Sequence, residues 1–144
     1  MTAAATLAAS LGVWLGIIGV EASKAGVEWD VLAVVCHYET RGNIDKAGAV
    51  GDDGASLGIC QVKVQTAQEM GYRGPAEGLK DPVTNIRYAA RWLRHCVDLG
   101  AASVRRQAEC YNAGRLGRAK TLYASRVHNM VMRLRMEAGY GRNR

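Results

Sequence analysis

One glutamate stands out by its position in the chain. Glu39 follows an apolar run, VLAVVCHY at residues 31–38, and a glycine, Gly42, comes three residues later. Such a run predicts a buried helix, so a carboxyl group at its end would be partly removed from water. Desolvation raises the pKa of a carboxyl group, and a general acid that works near neutral pH requires that shift. The competing interpretation is a helix-end charge that pairs with Arg41.

Further carboxylates lie in the Gly/Asp-rich loop after Glu39, RGNIDKAGAVGDDGAS at residues 41–56. They are Asp45, Asp52 and Asp53. A loop acid that faces Glu39 would form a pair of carboxylates with it, and acid–base chemistry can use such a pair. Asp52 and Asp53 also have the glycine neighbours that are typical of a turn. The turn interpretation is favoured, and the second acid stays an alternative.

Helices are expected to position these residues. Apolar residues recur at spacings of 3, 4 and 7, and alternating, strand-like segments are scarce. The predicted fold class is therefore all-α, in a single domain over residues 1–144. Helix starts are expected at Asp30, as a cap, and at Asp81-Pro82. The predicted helices cover about residues 4–24, 30–40, a segment from 64, 82–97, 103–113 and 119–137.

The uncharged N-terminal stretch, residues 3–20, has the length of a membrane span. However, no Lys or Arg precedes it, as one would in a signal peptide. Leu7, Leu11 and Ile18 fall at helical spacing and would form one face. For residues 1–25 we therefore predict a first core helix, with a weak signal-anchor as the alternative, and leave the route of export open.

The C-terminal segment is amphipathic and ends in a basic tail, residues 136–144. A closing core helix followed by a disordered end is the favoured interpretation. Contact of this helix with anionic membrane lipid is the alternative. The apolar residues of the predicted face are Val127, Met130, Val131 and Leu134, beside Arg133 and Arg135.

The cysteine count permits two disulfides, with three connectivities. Buried free thiols are nevertheless expected, because cysteine is among the most buried residue types. Cysteine and histidine are adjacent in two pairs, without the wider spacing of metal ligands, so neither a metal nor another cofactor is predicted. The four cysteines are Cys36, Cys60, Cys96 and Cys110.

The chain is basic, with 19 Lys and Arg against 13 Asp and Glu and a formal net charge of +6. A basic surface favours anionic partners, which include nucleic acid, anionic lipid and the bacterial cell wall. A nucleic-acid-binding helix would cluster its cations among polar readers. Here the arginines are scattered over predicted solvated faces, and no nucleic acid is expected as a partner.

Short motifs in a fixed order narrow the function. After Glu39 come GICQ at residues 58–61, DPVTNI at 81–86 and YNAG at 111–114. This succession, over about residues 27–130, resembles the soluble lytic transglycosylases of bacteria and their phages, lysozyme-like relatives of goose-type lysozyme. The resemblance implies a lysozyme-like helical domain whose groove is bordered by the Gly/Asp-rich loop.

The resemblance also implies roles for the matching residues. Glu39 corresponds to the single catalytic acid/base of the family. The enzyme would cleave the β-1,4 bond between N-acetylmuramic acid and N-acetylglucosamine in peptidoglycan strands and leave 1,6-anhydro ends. The residues expected to bind substrate or to lie beside the acid are Ser56, Gly58, Gln61, Tyr111, Asn112 and Tyr123.

The sequence departs from the family pattern at a few positions. Thr40 replaces the usual serine and keeps a hydroxyl group, whereas Cys60 and Cys110 replace the common Met and Ala. Two other functions stay open: a hydrolytic muramidase that uses a loop acid, and a non-enzymatic glycan-binding module. The expected setting is a monomer that acts on the wall or in the periplasm, as a phage endolysin or virion lysin.

Overall fold

Helices make up most of the regular structure, so the predicted all-α class is confirmed. The computed structural model describes residues 1–47, 56–114 and 121–142. A short antiparallel sheet pairs β1 (Ser56–Leu57) with β2 (Val62–Lys63). The helices are α1 (Ala3–Leu11), α2 (Trp14–Ala25), α3 (Trp29–Thr40), α4 (Val64–Glu69), α5 (Pro82–Asp98), α6 (Val104–Ala113) and α7 (Thr121–Arg142), with a 3-10 turn over Ala76–Lys80.

The central helix is α3, which carries Glu39 in its last turn. Every residue from Val31 to Cys36 has an exposed fraction of 0%. Five other helices pack against it, namely α1, α2, α5, α6 and α7. A helix surrounded in this way is apolar on all sides, which explains why its sequence is a continuous apolar run.

The prediction of one helix over residues 4–24 is wrong, because the chain breaks between α1 and α2. Gly12 has φ 53° and ψ −128°, a conformation that glycine adopts at little cost. The two helices are bent by 102° at this break. Among the described residues no single helix is long and apolar enough to cross a bilayer, and only this bent pair meets the requirement jointly. Leu7, Leu11 and Ile18 are buried in the core.

The N-terminus of α1 is held by α7. The Glu137 carboxylate accepts hydrogen bonds from the Ala3 and Ala4 amides, at 2.7 and 3.1 Å. These two bonds stabilise the ionised form and lower the pKa of Glu137. One acidic side chain of α7 therefore satisfies two of the amide groups that a helix start leaves without a partner.

The other end of α1 packs behind the turn that follows Glu39. Ser10 Oγ lies 2.7 Å from His37 Nδ1, and His37 Nε2 lies 2.9 Å from Arg41 Nη1. Because a guanidinium only donates, Nε2 accepts and the neutral ring donates from Nδ1 to Ser10. At Gly42, with φ 89°, a Cβ atom would stand 1.7 Å from the Ser10 carbonyl oxygen, so only glycine fits.

Two predicted helix starts had different outcomes. Asp81 caps α5 as expected, since its carboxylate accepts from the Thr84 amide at 3.0 Å and proline follows it. Asp30 is not the cap of α3, because the helix begins one residue earlier, after Glu28. Asp30 is instead buried in the first turn, where Arg135 of α7 donates to it at 2.8 Å.

The predicted disordered end is wrong within the described residues, because α7 continues to Arg142. Residues 143–144 of the basic tail lie outside them. The apolar face of this helix is buried in the core, and contact of the basic helix with anionic lipid stays a prediction. The members of this face are Val127, Met130, Val131 and Leu134.

The hydrogen bonds that join Ser10, His37 and Arg41 predict that low pH destabilises the fold. Burial, and then the charge of Arg41, lower the pKa of His37 below its usual 6.5. Because the unfolded chain takes up the proton first, the free energy of unfolding should fall as pH drops from about 6.5 to the lowered folded value. Thermal melting between about pH 7.5 and pH 5 should show a smaller drop for His37→Gln, which does not titrate, than for the native chain. Equal drops would contradict this prediction.

Candidate functional site

The residues GICQ form the GICQ turn, residues 58–61, which joins β1 to β2. Gly58 has φ 76°, and a Cβ atom there would lie 2.5 Å from Asn85 Nδ2 and 2.9 Å from the Leu79 carbonyl oxygen. Gln61 has φ 51°, a left-handed conformation that costs a residue with a side chain about 1–3 kcal/mol. Its amide Nε2 donates to the Gly58 and Lys46 carbonyls at 3.0 and 2.9 Å. These two side-chain hydrogen bonds help to hold Gln61 in its strained conformation.

Cys60, in the middle of the GICQ turn, forms bonds through its amide, its carbonyl and its sulfur. Its amide donates to Asn85 Oδ1 at 2.9 Å, and its carbonyl accepts from the Tyr111 hydroxyl at 2.7 Å. Its sulfur forms a disulfide with Cys36, one helical turn before Glu39. The expectation of free thiols is therefore wrong, although the expected burial is right, since all four cysteines have exposed fractions of 0%. The other disulfide, Cys96–Cys110, joins α5 to α6.

The end of α3 is bonded directly to the same turn. The Thr40 hydroxyl donates to the Ile59 carbonyl at 2.7 Å. The Lys46 ammonium donates to the Glu39 carbonyl at 2.9 Å, while the Lys46 carbonyl accepts from Gln61. These contacts bring the main chain at Glu39 and the side chain of Gln61 to one place, which sequence separation alone does not reveal.

Two tyrosines face the half-buried Glu39. Burial raises the pKa of Tyr111 well above 10, and the negative charge of Glu39 adds to this effect. The pKa of Tyr123 is raised by burial, then by the charge of Glu39, by Tyr111 and by a hydrogen bond with Glu39. Within the described residues the Tyr123 hydroxyl has no partner at full hydrogen-bonding geometry, so its contact with Glu39 is a loose one. Both phenols are therefore neutral, and Tyr123 can donate to the carboxylate.

The remaining predicted groove residues border this centre. Asn112 follows Tyr111 on α6 and is half-buried, and its buried Oδ1 has no hydrogen-bond partner among the residues that the structure describes. Ser56 is buried in β1, just before the GICQ turn. The structure thus brings together Glu39, Gln61, Tyr111 and Tyr123, with Asn112, Ser56 and Gly58 alongside.

The structure also locates the residues of the alternative predictions, namely the second acid, the pairing of Glu39 with Arg41 and a metal site. Asp45 is exposed, and its amide bonds Asn43 Oδ1 at 3.1 Å. Asp52 and Asp53 lie outside the described residues. Arg41, the proposed partner of Glu39, is turned to His37 and lies over the Tyr38 ring at 5.2 Å. Within the described ranges no three His, Cys, Asp or Glu side chains meet as metal ligands would.

Sequence reasoning missed the function of Asn85 within its own motif. Its buried amide Nδ2 donates to the Leu57 and Leu79 carbonyls, both at 2.7 Å, and its Oδ1 accepts from Cys60. All the hydrogen bonds of this side chain therefore go to the main chain around the GICQ turn. The sequence did contain a signal for this role, because Asn85 is the fourth residue of the helix that begins after Asp81. A polar side chain that is buried at such a position needs hydrogen-bond partners.

Comparison with known proteins is consistent with this geometry. No curated protein matches the chain. Residues 16–127, which are more than half of the chain and include every described site residue, match the family model of the transglycosylase SLT domain. Helix α1 lies before the matched residues. The chain therefore belongs to the transglycosylase SLT domain family, the lytic transglycosylases of peptidoglycan.

Proposed function

We propose that the protein cleaves the β-1,4 bond between N-acetylmuramic acid and N-acetylglucosamine, with Glu39 as both acid and base, and leaves 1,6-anhydro ends. The observation that carries this proposal is the environment of Glu39. A half-buried carboxyl group stands at a helix end, and two neutral phenols face it, of which Tyr111 is buried and Tyr123 is half-buried with a buried hydroxyl. A carboxyl group that faces two neutral phenols suits a reaction in which the same group gives and then takes back a proton.

In the first step, protonated Glu39 donates to the glycosidic oxygen. The bond from C1 of the muramic sugar to that oxygen breaks, and positive charge develops at C1 and the ring oxygen. The N-acetylglucosamine chain leaves with the proton as a free hydroxyl. The carboxylate that remains faces the developing cation and stabilises it by its charge.

In the second step, the Glu39 carboxylate takes the proton of the C6 hydroxyl of the same muramic sugar. The C6 oxygen attacks C1 and closes the 1,6-anhydro ring. No water is consumed, and Glu39 returns to its protonated form. Since the nucleophile belongs to the substrate, the rate depends on holding the C6 hydroxyl over C1, which is an orientation effect.

The groove would supply this orientation through polar groups of fixed position. The Gln61 carboxamide is held by its two carbonyl contacts, and Asn112 Oδ1, which has no partner in the described ranges, can accept from a sugar hydroxyl or amide. Ser56 and Gly58 lie beside this wall, and Gly58 supports it from behind, because its missing side chain makes room for Asn85 and the Leu79 carbonyl. Tyr123 would donate to the carboxylate form of Glu39 between the two steps.

A hydrolytic muramidase is the alternative reaction at the same site. It needs a second carboxylate that directs water to C1. Asp45 is exposed, which gives that alternative no support from the described acids. The predicted single domain, the monomeric state and the setting as an endolysin or virion lysin stay predictions, as does lipid contact through the arginines of α7.

Replacing Glu39 by Gln tests the assignment of the acid. Glu39→Gln should lower the release of soluble fragments from purified peptidoglycan by about 10²- to 10⁴-fold, because a carboxamide neither donates nor accepts the proton. The matched control is Glu69→Gln, at an exposed position of α4, which should keep full activity. Circular dichroism should show both variants folded. Full activity in a folded Glu39→Gln variant would remove Glu39 from this role.

Replacing Tyr123 by Phe should have opposite effects on activity and stability. Loss of the loose bond to Glu39, worth about 1 kcal/mol, should lower kcat by roughly fivefold. The melting temperature should rise or stay level, because a buried hydroxyl without a well-formed hydrogen bond is removed. Tyr72→Phe is the control, since it loses a 2.7 Å bond to the Pro75 carbonyl and should lower stability while kcat is kept. Equal kcat values in both variants would contradict the role of Tyr123.

A further inference from the structure

We propose that the Cys36–Cys60 disulfide positions the reacting groups, so that full turnover requires its oxidised form. This inference rests on the proposed function. Cys36 lies one helical turn before Glu39, and Cys60 lies immediately before Gln61. The bond therefore joins the helix that carries the acid directly to the turn that carries a groove wall.

The GICQ turn needs such a link because it is not part of a regular helix. It joins strands of two residues each, and their sheet has no third strand within the described ranges. It also contains Gln61 in a left-handed conformation, which the surroundings must maintain. Asn85 accepts a hydrogen bond from the main chain of the turn, and Tyr111 and Thr40 donate to it, but only the disulfide fixes the turn covalently to α3.

The second disulfide provides an internal comparison. Cys96–Cys110 also precedes a site residue, Tyr111. However, Tyr111 belongs to α6, whose own hydrogen bonds set its main chain, and Trp92 Nε1 of α5 donates to the Tyr111 carbonyl at 3.2 Å. Loss of Cys96–Cys110 should therefore lower stability and leave the geometry at Glu39 largely intact.

The chemistry of opening is a two-electron exchange with a dithiol reductant. One thiolate of the reductant attacks a sulfur of the disulfide, which releases one cysteine thiolate and forms a mixed disulfide. The second thiolate of the reductant then attacks the mixed disulfide and releases the other cysteine. Two cysteine thiols result, and the reductant leaves as a cyclic disulfide. Because Cys36 and Cys60 are fully buried, the exchange requires local opening of the turn, so the oxidised form should persist once it has formed.

The test compares two folded double variants on purified peptidoglycan. Cys36→Ala/Cys60→Ala should lower kcat by about 10- to 100-fold with little change in KM. Without the disulfide, Glu39 and Gln61 are no longer held at a fixed position relative to each other. Cys96→Ala/Cys110→Ala should keep kcat within about threefold while its melting temperature falls. Should the first variant not fold, Cys36→Val/Cys60→Ala fills part of the lost volume and is measured in its place.

Redox treatment gives a second readout. Protein refolded in excess dithiothreitol should have the low kcat of the Cys36→Ala/Cys60→Ala variant and should regain activity on re-oxidation. The Cys96→Ala/Cys110→Ala variant should respond in the same way, and the Cys36→Ala/Cys60→Ala variant should not respond. Equal kcat values in the two double variants would overturn the inference. An inactive native protein would instead contradict the proposed function, so the two failures are distinguishable.

Discussion

The site depends on one residue, Cys60, at which three helices meet. Its amide is bonded to Asn85 of α5, its carbonyl to Tyr111 of α6, and its sulfur to Cys36 of α3. A turn held at three points by separate helices has little freedom to shift relative to any of them. The left-handed Gln61 next to it is therefore sustained by the whole fold rather than by its own preference.

The acid lies at the end of α3, a helix in which nine of the 12 residues are buried. The apolar run of α3 fixes the direction of its last turn, and Glu39 emerges where that turn leaves the core. Tyr111 takes part in both functions of the site, since its hydroxyl donates to the Cys60 carbonyl and also interacts with the charge of Glu39. A change at Tyr111 would therefore alter both the position of the GICQ turn and the electrostatic environment of Glu39.

Local signals in the sequence predicted much of this arrangement. The periodicity of α5 and α6 and the Asp81-Pro82 start follow from side chains close in sequence, and those predictions were right within two residues. The break at Gly12 was missed because one glycine in an apolar helix is an ambiguous signal. The pairing of Cys36 with Cys60, and the bonds of Asn85 to Leu57 and Cys60, join residues 24 to 28 apart, and no local pattern encodes such contacts.

The central claim is that Glu39 transfers a proton within the substrate and that no water enters the product. Digestion of purified peptidoglycan in water enriched in ¹⁸O, followed by mass spectrometry of the released muropeptides, tests it most directly. The account predicts 1,6-anhydro ends without ¹⁸O. Reducing ends that carry ¹⁸O would show that water attacks C1, and would contradict it.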